Sequence, residues 1–303
     1  MNPSNDTLSR FLFEHTPIRG NSVHLASTFQ LALNKQHLPK GLKRALGELM
    51  AASALLTATL KMNGALVLQI QSKGILKLLV VECTSDFGIR ATAKFNGDVH
   101  DEQNLFELIE QGQFVITLDP KDGGQTYQGI VPIEGDSIST ILENYMLRSE
   151  QIDTKIWLSC DGNTAAGMLL QKLPDTMNQT TKQHEALAED LDAWNRIGHL
   201  ADTVSNQEIL NLPIETLLHR LFHEENVRLF EASNTRFFCS CSRASVSNML
   251  RMLGEEEIRS ILHEQGKIEV NCDFCNTHYS FDQIDATQLL ATEVASQSSK
   301  QIH

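Results

Sequence analysis

Apolar positions along the chain recur with two periods, and each change of period marks an element. Over 39–60, Leu42, Ala45, Leu46, Leu49, Ala52, Leu56 and Leu60 recur at helical spacing in an alanine-rich stretch, which predicts a core helix. Asn63-Gly64 ends it, and 65–70 and 75–82 read as two strands joined at hairpin length by Gln71-Ser72-Lys73-Gly74. Over 88–95, Ile89, Ala91, Ala93 and Phe95 alternate with mostly polar neighbours, as in a strand with one buried face. A short helix is expected over 101–111, turning Leu105, Phe106 and Ile109 inward. A longer one is expected from 137 to about 149, capped by Asp136, with Ile138, Ile141, Leu142, Tyr145 and Met146 as its stripe. Strands at 113–118 and 125–130 flank a turn-rich segment, and strands at 154–158 and 165–173 flank Asp161-Gly162-Asn163. Hairpins interspersed with a few helices predict an α+β domain over 1–183 with a mostly antiparallel sheet.

The pattern changes after 174–183, a polar aperiodic stretch that reads as a boundary. Leu187, Leu191, Trp194, Ile197, Leu200, Ala201 and Val204 keep helical spacing, as do Leu217, Leu218, Leu221, Phe222 and Leu229 after Pro213. Ten acidic and three basic residues between 184 and 231 make these helices strongly amphipathic, a helical linker over 184–233. In the resting protein the stripe is expected to pack on a neighbouring domain, with the acidic face solvated. Its release, with the cysteine-bearing module that follows as a latch, is the functional alternative. Two short helices at 242–253 and 255–265 offer Val246, Met249, Leu250, Leu253, Ile258, Ile261 and Leu262 as a tiny core for a module over 234–287. The tail, 288–303, is polar.

That core is too small to hold a module of about fifty residues securely. Within 237–279 stand Cys239 and Cys241 as CxC, and Cys272 and Cys275 as CxxC, thirty residues on. Two close pairs supply the four thiolates of a closed tetrahedral zinc site. A single intervening residue places Cys239 and Cys241 on an extended segment, whereas Cys272 to Asn276 has the form of a knuckle, with Asn276 suited to the left-handed conformation. The same sulfurs can also form small-loop disulfides, so structural clip and redox sensor both stand. Cys83 and Cys160 read as buried small hydrophobes, and His219 with His223, at i and i+4, as a weak second metal candidate.

Composition narrows the functions. The 303 residues carry 38 acidic and 25 basic side chains, a net charge of -13 that argues against a nucleic-acid partner. No apolar run has the length of a membrane span and no export signal is seen, so a cytoplasmic protein with reduced thiols is expected. No phosphate loop, nucleophile elbow or HExxH motif is present, and no catalytic residue is assigned.

The residues resemble the redox-regulated 33-kDa heat-shock chaperones of bacteria. The resemblance rests on Phe238-Cys239-Ser240-Cys241-Ser242-Arg243 and on 268–276 with Cys272 and Cys275. It extends to Leu78-Leu79-Val80-Val81-Glu82-Cys83-Thr84, Gly129-Ile130-Val131-Pro132, 139–150 and Leu217-Leu218-His219-Arg220-Leu221-Phe222, and so spans nearly the whole chain. It implies an ATP-independent holdase and no enzyme, inactive while reduced and zinc-bound. It further implies activation by disulfides, Cys239 with Cys241 and Cys272 with Cys275, which release Zn2+ and unfold the module and linker. Unfolding client proteins and a homodimer of the activated form are the implied partners. Trp194, Leu217, Leu221 and Phe222 are the expected client-binding residues, exposed once the linker loses its partner. A thiol-disulfide oxidoreductase using Cys272 and Cys275, which lacks its βαβ context here, and a constitutive zinc-stabilised adaptor are the competing readings.

Overall fold

The computed structural model describes residues 6–101, 103–174 and 192–288. They divide into two compact units, 1–238 and 239–303. The first unit is built around α2 (Lys40–Thr57), the helix expected from the 39–60 stripe. Its alanines and Gly47 keep it slender, and it is buried on nearly every side between two sheets. One sheet runs β10-β1-β2-β9-β8, with β11 also on β1. Its strands are β1 (Thr7–Phe13), β2 (Ile18–Leu25), β8 (Thr154–Cys160), β9 (Ala165–Lys172), β10 (Val227–Leu229) and β11 (Ser233–Asn234). The other runs β12-β5-β4-β3-β6-β7 and comprises β3 (Gly64–Gln71), β4 (Leu76–Thr84), β5 (Gly88–Phe95), β6 (Gln113–Pro120), β7 (Tyr127–Pro132) and β12 (Arg236–Phe237). Every pairing is antiparallel except that of β12 with β5. The expected α+β architecture is therefore present. No helix among the described residues is long and apolar enough to cross a membrane.

Two expectations are corrected. The helix expected over 101–111 is a single 3-10 turn, Leu105–Leu108, started by the Asn104 side chain accepting from the Glu107 N–H. Ile109 is already extended, because the chain there is drawn against the turn between β3 and β4, where Lys73 N donates to Glu110 O at 2.8 Å. Helix α3 (Ile138–Arg148) is capped by Ser137, not Asp136, through a hydrogen bond from Thr140 N.

The first sheet is buried on both faces, and this determines what the linker does. One face meets α2. On the other, Phe11, Phe13, Ile18, Met168 and Leu170 form a cluster with Ala193, Ile197 and Ala201 of α4 (Ala193–Ala201) and with Leu217, Leu218, Leu221 and Phe222 of α6 (Ile214–Phe222). Phe13 and Phe222 meet edge to face, with ring centroids 4.9 Å apart. Gly20 is required beneath Phe11, whose ring atoms would lie 2.2 Å from a Cβ placed there. Between the two helices, α5 (Asn206–Asn211) begins with a capping box of Ser205 and Glu208. His24 Nε2 lies 2.9 Å from the Leu210 carbonyl, Lys155 pairs with Asp202 at 2.7 Å and Arg196 with Glu225 at 2.7 Å. The expected stripe exists, and its cover is this sheet; the described part of 184–233 belongs to the first unit. Leu187 and Leu191 lie outside the described residues, as do most of 174–183 and of the tail.

One carboxyl on α2 carries a strain that pH relieves. Glu48 is pushed up to about 7 by burial, against the opposing pull of Arg44. Its folded pKa lies above the unfolded value, so the cost is fully present above about pH 7 and fades as pH falls towards the ordinary carboxylate range. Glu48→Gln is therefore expected to stabilise the protein by on the order of 2 kcal/mol at pH 8 and by only about a quarter of that at pH 5. Urea unfolding at the two pH values checks this, and an equal effect at both would refute it.

Candidate metal centre

The second unit starts from the cysteines. Immediately after Cys241, Ser242 is extended and its hydroxyl accepts from Ser245 N at 3.1 Å, starting helix α7 (Arg243–Leu253). Gly254, at φ 89°, separates α7 from α8 (Glu255–Gln265), and Gly266, at φ 76°, closes α8 in the left-handed region. A hairpin of β13 (Ile268–Asn271) and β14 (His278–Phe281) follows. Its loop is the knuckle: Asn276 N donates to Cys272 O at 2.8 Å, Cys272 N to Thr277 O at 2.9 Å, and Asn276 sits at φ 53° as its residue type allows. Arg243 ties helix to hairpin, 4.2 Å above the Phe281 ring, donating to Ser280 O at 2.8 Å and pairing with Asp285 at 2.7 Å.

The interior of this unit is Val246, Leu250, Ile258, Ile268, Phe281 and Ala286, with Ile261 and Leu262 partly buried. Met249 and Leu253, expected in it, are 45% and 51% exposed. They lie outside this cluster, Leu253 as the last residue of α7, and the hairpin supplies Ile268 and Phe281 instead. The core is small, as expected, but shared between helices and hairpin.

Beside it the four sulfurs of Cys239, Cys241, Cys272 and Cys275 lie within 4.8 Å of one another, the one such metal-ligating cluster among the described residues. Cys239 and Cys272 approach to 3.7 Å, and Cys241 and Cys275 to 3.3 Å. Four thiolates on one tetrahedral ion with bonds of about 2.3 Å have sulfurs about 3.8 Å apart. Donor type, number and spacing all fit a metal ion. His219 on α6 and His223 just after its end stand exposed, ring centroids 6.2 Å apart, outside any such cluster among the described residues. Cys83 is fully buried and Cys160 partly so, and burial pushes both thiols up to about 12.

The four thiols are not equivalent. Burial pushes Cys239 up to about 12 and also raises Cys241. At Cys275 the Thr277 hydroxyl and amide, with Cys241 and Cys239, outweigh burial and bring the thiol down to about 6. The Thr277 hydroxyl lies 3.0 Å from Cys275 Sγ, and the Tyr279 hydroxyl donates to Cys241 Sγ at 3.2 Å. That bond pushes the phenol up to about 12. Sequence reasoning missed both hydroxyls. Thr277 was legible as the second residue after Cys275, whereas Tyr279 reaches Cys241 only because the hairpin folds back across 38 positions.

Comparison with known proteins agrees with this architecture. A crystal structure of the 33 kDa chaperonin (heat shock protein 33 homolog) of Thermotoga maritima superposes with a TM-score of 0.80 at 22% identity, over 96% of this chain and all of that one, a likeness of fold. The 33 kDa chaperonin of Methylobacillus flagellatus is 60% identical over 290 residues, covering 95% of this chain and 96% of that protein. The protein of the same name from Chromobacterium violaceum is 47% identical over 98% of both. The model of the Hsp33 protein family matches residues 6–282, and with relatives this similar along nearly its whole length, the chain belongs to that family.

Proposed function

We propose that this chain is a redox-regulated, ATP-independent holdase of the cytoplasm, which keeps unfolding and oxidatively damaged proteins from aggregating. Its relatives bear the name chaperonin, which supports the chaperone class. The observation that carries the regulation is the pairing of a four-thiol cluster with a unit whose own apolar interior is only Val246, Leu250, Ile258, Ile268, Phe281 and Ala286. Such a unit depends on its ligands for its fold. When Zn2+ is bound, it holds the four sulfurs together as thiolates. A two-electron oxidant such as peroxide converts Cys239 with Cys241, and Cys272 with Cys275, to disulfides. Each conversion takes two electrons from a pair of sulfurs and turns one peroxide and two protons into two waters. The ligands are then gone and the unit opens.

The clients are unfolding polypeptides, and the activated form is a homodimer. Client binding is assigned to Trp194, Leu217, Leu221 and Phe222. In the folded protein the last three are buried against the sheet, so the surface exists only once α4 and α6 leave it. The acidic face of the linker keeps that surface soluble.

Zinc release and suppression of light scattering by a thermally unfolding client, measured on one sample before and after peroxide, test the proposal. About one equivalent of zinc is expected to appear together with the suppression, without ATP. Suppression that is equal before and after oxidant would favour a constitutive adaptor. Reduction of insulin by a dithiol with catalytic amounts of the protein would favour an oxidoreductase.

A further inference from the structure

The second cysteine of each pair carries a hydroxyl neighbour: Tyr279 on Cys241 at 3.2 Å and Thr277 against Cys275 at 3.0 Å. Both hydroxyls are held by the hairpin. Thr277 is fixed by the knuckle bond from Cys272 N to its own carbonyl, and Tyr279 pairs with Val270 in register while its ring packs on the small core. A sulfur that has lost its proton can only accept, so in the thiolate state both hydroxyls donate. A donor aimed at a thiolate stabilises its charge and withdraws electron density that the sulfur uses in nucleophilic attack.

We infer that Tyr279 and Thr277 are positioning residues that damp the reactivity of Cys241 and Cys275, and so set how much oxidant is needed before the cluster opens. The inference rests on the redox function proposed above. In the step concerned, a sulfur lone pair attacks one peroxide oxygen, the O–O bond breaks and hydroxide leaves. The sulfenic acid formed is then attacked by the second thiolate of the pair; the S–S bond forms, the S–O bond breaks and the oxygen departs as water after protonation. The hydroxyl hydrogen bond weakens as the sulfur's charge passes into the new S–O bond, so its stabilisation is lost on the way to the transition state. Tyr279→Phe and Thr277→Val remove that bond while keeping the ring and the branched shape.

The test compares the zinc-loaded full chain with each variant. Alkylation by iodoacetamide is followed cysteine by cysteine by mass spectrometry, and zinc release by peroxide with a chromophoric chelator. Tyr279→Phe is expected to speed alkylation of Cys241 by roughly three- to tenfold with little change at Cys239, and Thr277→Val to do the same at Cys275 with little change at Cys272. Zinc release by peroxide should accelerate in both. Equal acceleration at all four cysteines, or zinc lost before any reagent is added, would mean that the hydroxyls only hold the hairpin together, and would overturn the inference. So would unchanged rates. Because alkylation needs no oxidant, a wild-type protein that ignores peroxide would sink the redox proposal while leaving the damping result readable.

Discussion

Stripping the metal from the reduced protein with a strong chelator is expected to unfold the unit beginning at Cys239, while the unit ending at Phe238 keeps its structure. The first unit has its own large interior, organised on α2 and two sheets, and none of the four cysteines belongs to it. The second unit must order two helices and a hairpin around six buried apolar side chains. Structural zinc in peptides of this kind contributes on the order of 10–16 kcal/mol of apparent binding free energy, far more than so small a core supplies. Losing the metal from a unit that folds cooperatively around it removes the fold and not merely its rigidity. Trypsin gives a direct readout, because Arg243, Arg251, Arg259 and Lys267 lie on the helices and at the hairpin entrance. These sites should become cleavable within minutes of chelation, with protection restored by zinc, while Arg44 and Arg90 in the first unit stay protected. Continued protection of all six after chelation would show that the fold stands without metal, and the regulatory proposal would fall with it.

What the sequence disclosed follows from where periodicity survives. Elements with one buried face, such as Gly88–Phe95, announced themselves by alternation, and the 39–60 stripe by its helical period. Strands β1 and β2 went unread although β8 and β9 of the same doubly covered sheet did not, because polar Ser9 and Asn21 are buried among their apolar positions. Leu8 faces the α2 core while Phe11 and Phe13 meet the linker helices, so alternation is lost, and the buried polar residues break the apolar run that would otherwise mark a strand covered on both faces. Yet the same strands supply the partner of the linker stripe, so the stripe was legible while its cover was not. At the cluster, residue type and spacing disclosed all four sulfurs, since close pairs are local in sequence. The tuning groups are non-local. Arg243 over Phe281 and Tyr279 on Cys241 depend on a hairpin register that no short motif encodes.

Phe222→Ala is expected to loosen the linker helices on the sheet, and so raise the fraction of molecules in which they leave it, even in the reduced, metal-loaded protein. Phe222 is among the largest fully buried side chains; its ring stands edge-on to Phe13, and it shares the cluster with Phe11, Ile18, Met168 and Leu170. Truncating such a side chain costs about 3–5 kcal/mol, from lost transfer free energy and from the cavity left behind. Ala193, Ile197, Ala201, Leu217, Leu218 and Leu221 stay in the cluster and Ile209 and Leu210 pack on Ala166, so the attachment is weakened and not abolished, and the polar contacts add little to it. Arg196 with Glu225 and Lys155 with Asp202 are partly exposed pairs, worth about 0–1 kcal/mol each, and the His24 contact to Leu210 adds about one ordinary hydrogen bond. The loss therefore falls on local attachment, and α2 with its two sheets keeps its own core. Two observables follow. Trp194 and Trp157, both at the margin of the cluster, should shift their emission to the red, and a hydrophobic dye should bind where Phe11, Phe13 and Met168 become uncovered. If the uncovered faces bind clients, this variant suppresses light scattering without oxidant, while the triple change Leu217→Ser, Leu221→Ser and Phe222→Ser weakens suppression by the oxidised protein. Leu31→Ala, at a position 51% exposed, should change stability by no more than about 0.5 kcal/mol and serves as the control. Emission and dye binding identical to wild type would mean that the linker is held by something other than this apolar contact, and the assignment of the client surface to Leu217, Leu221 and Phe222 would lose its physical basis.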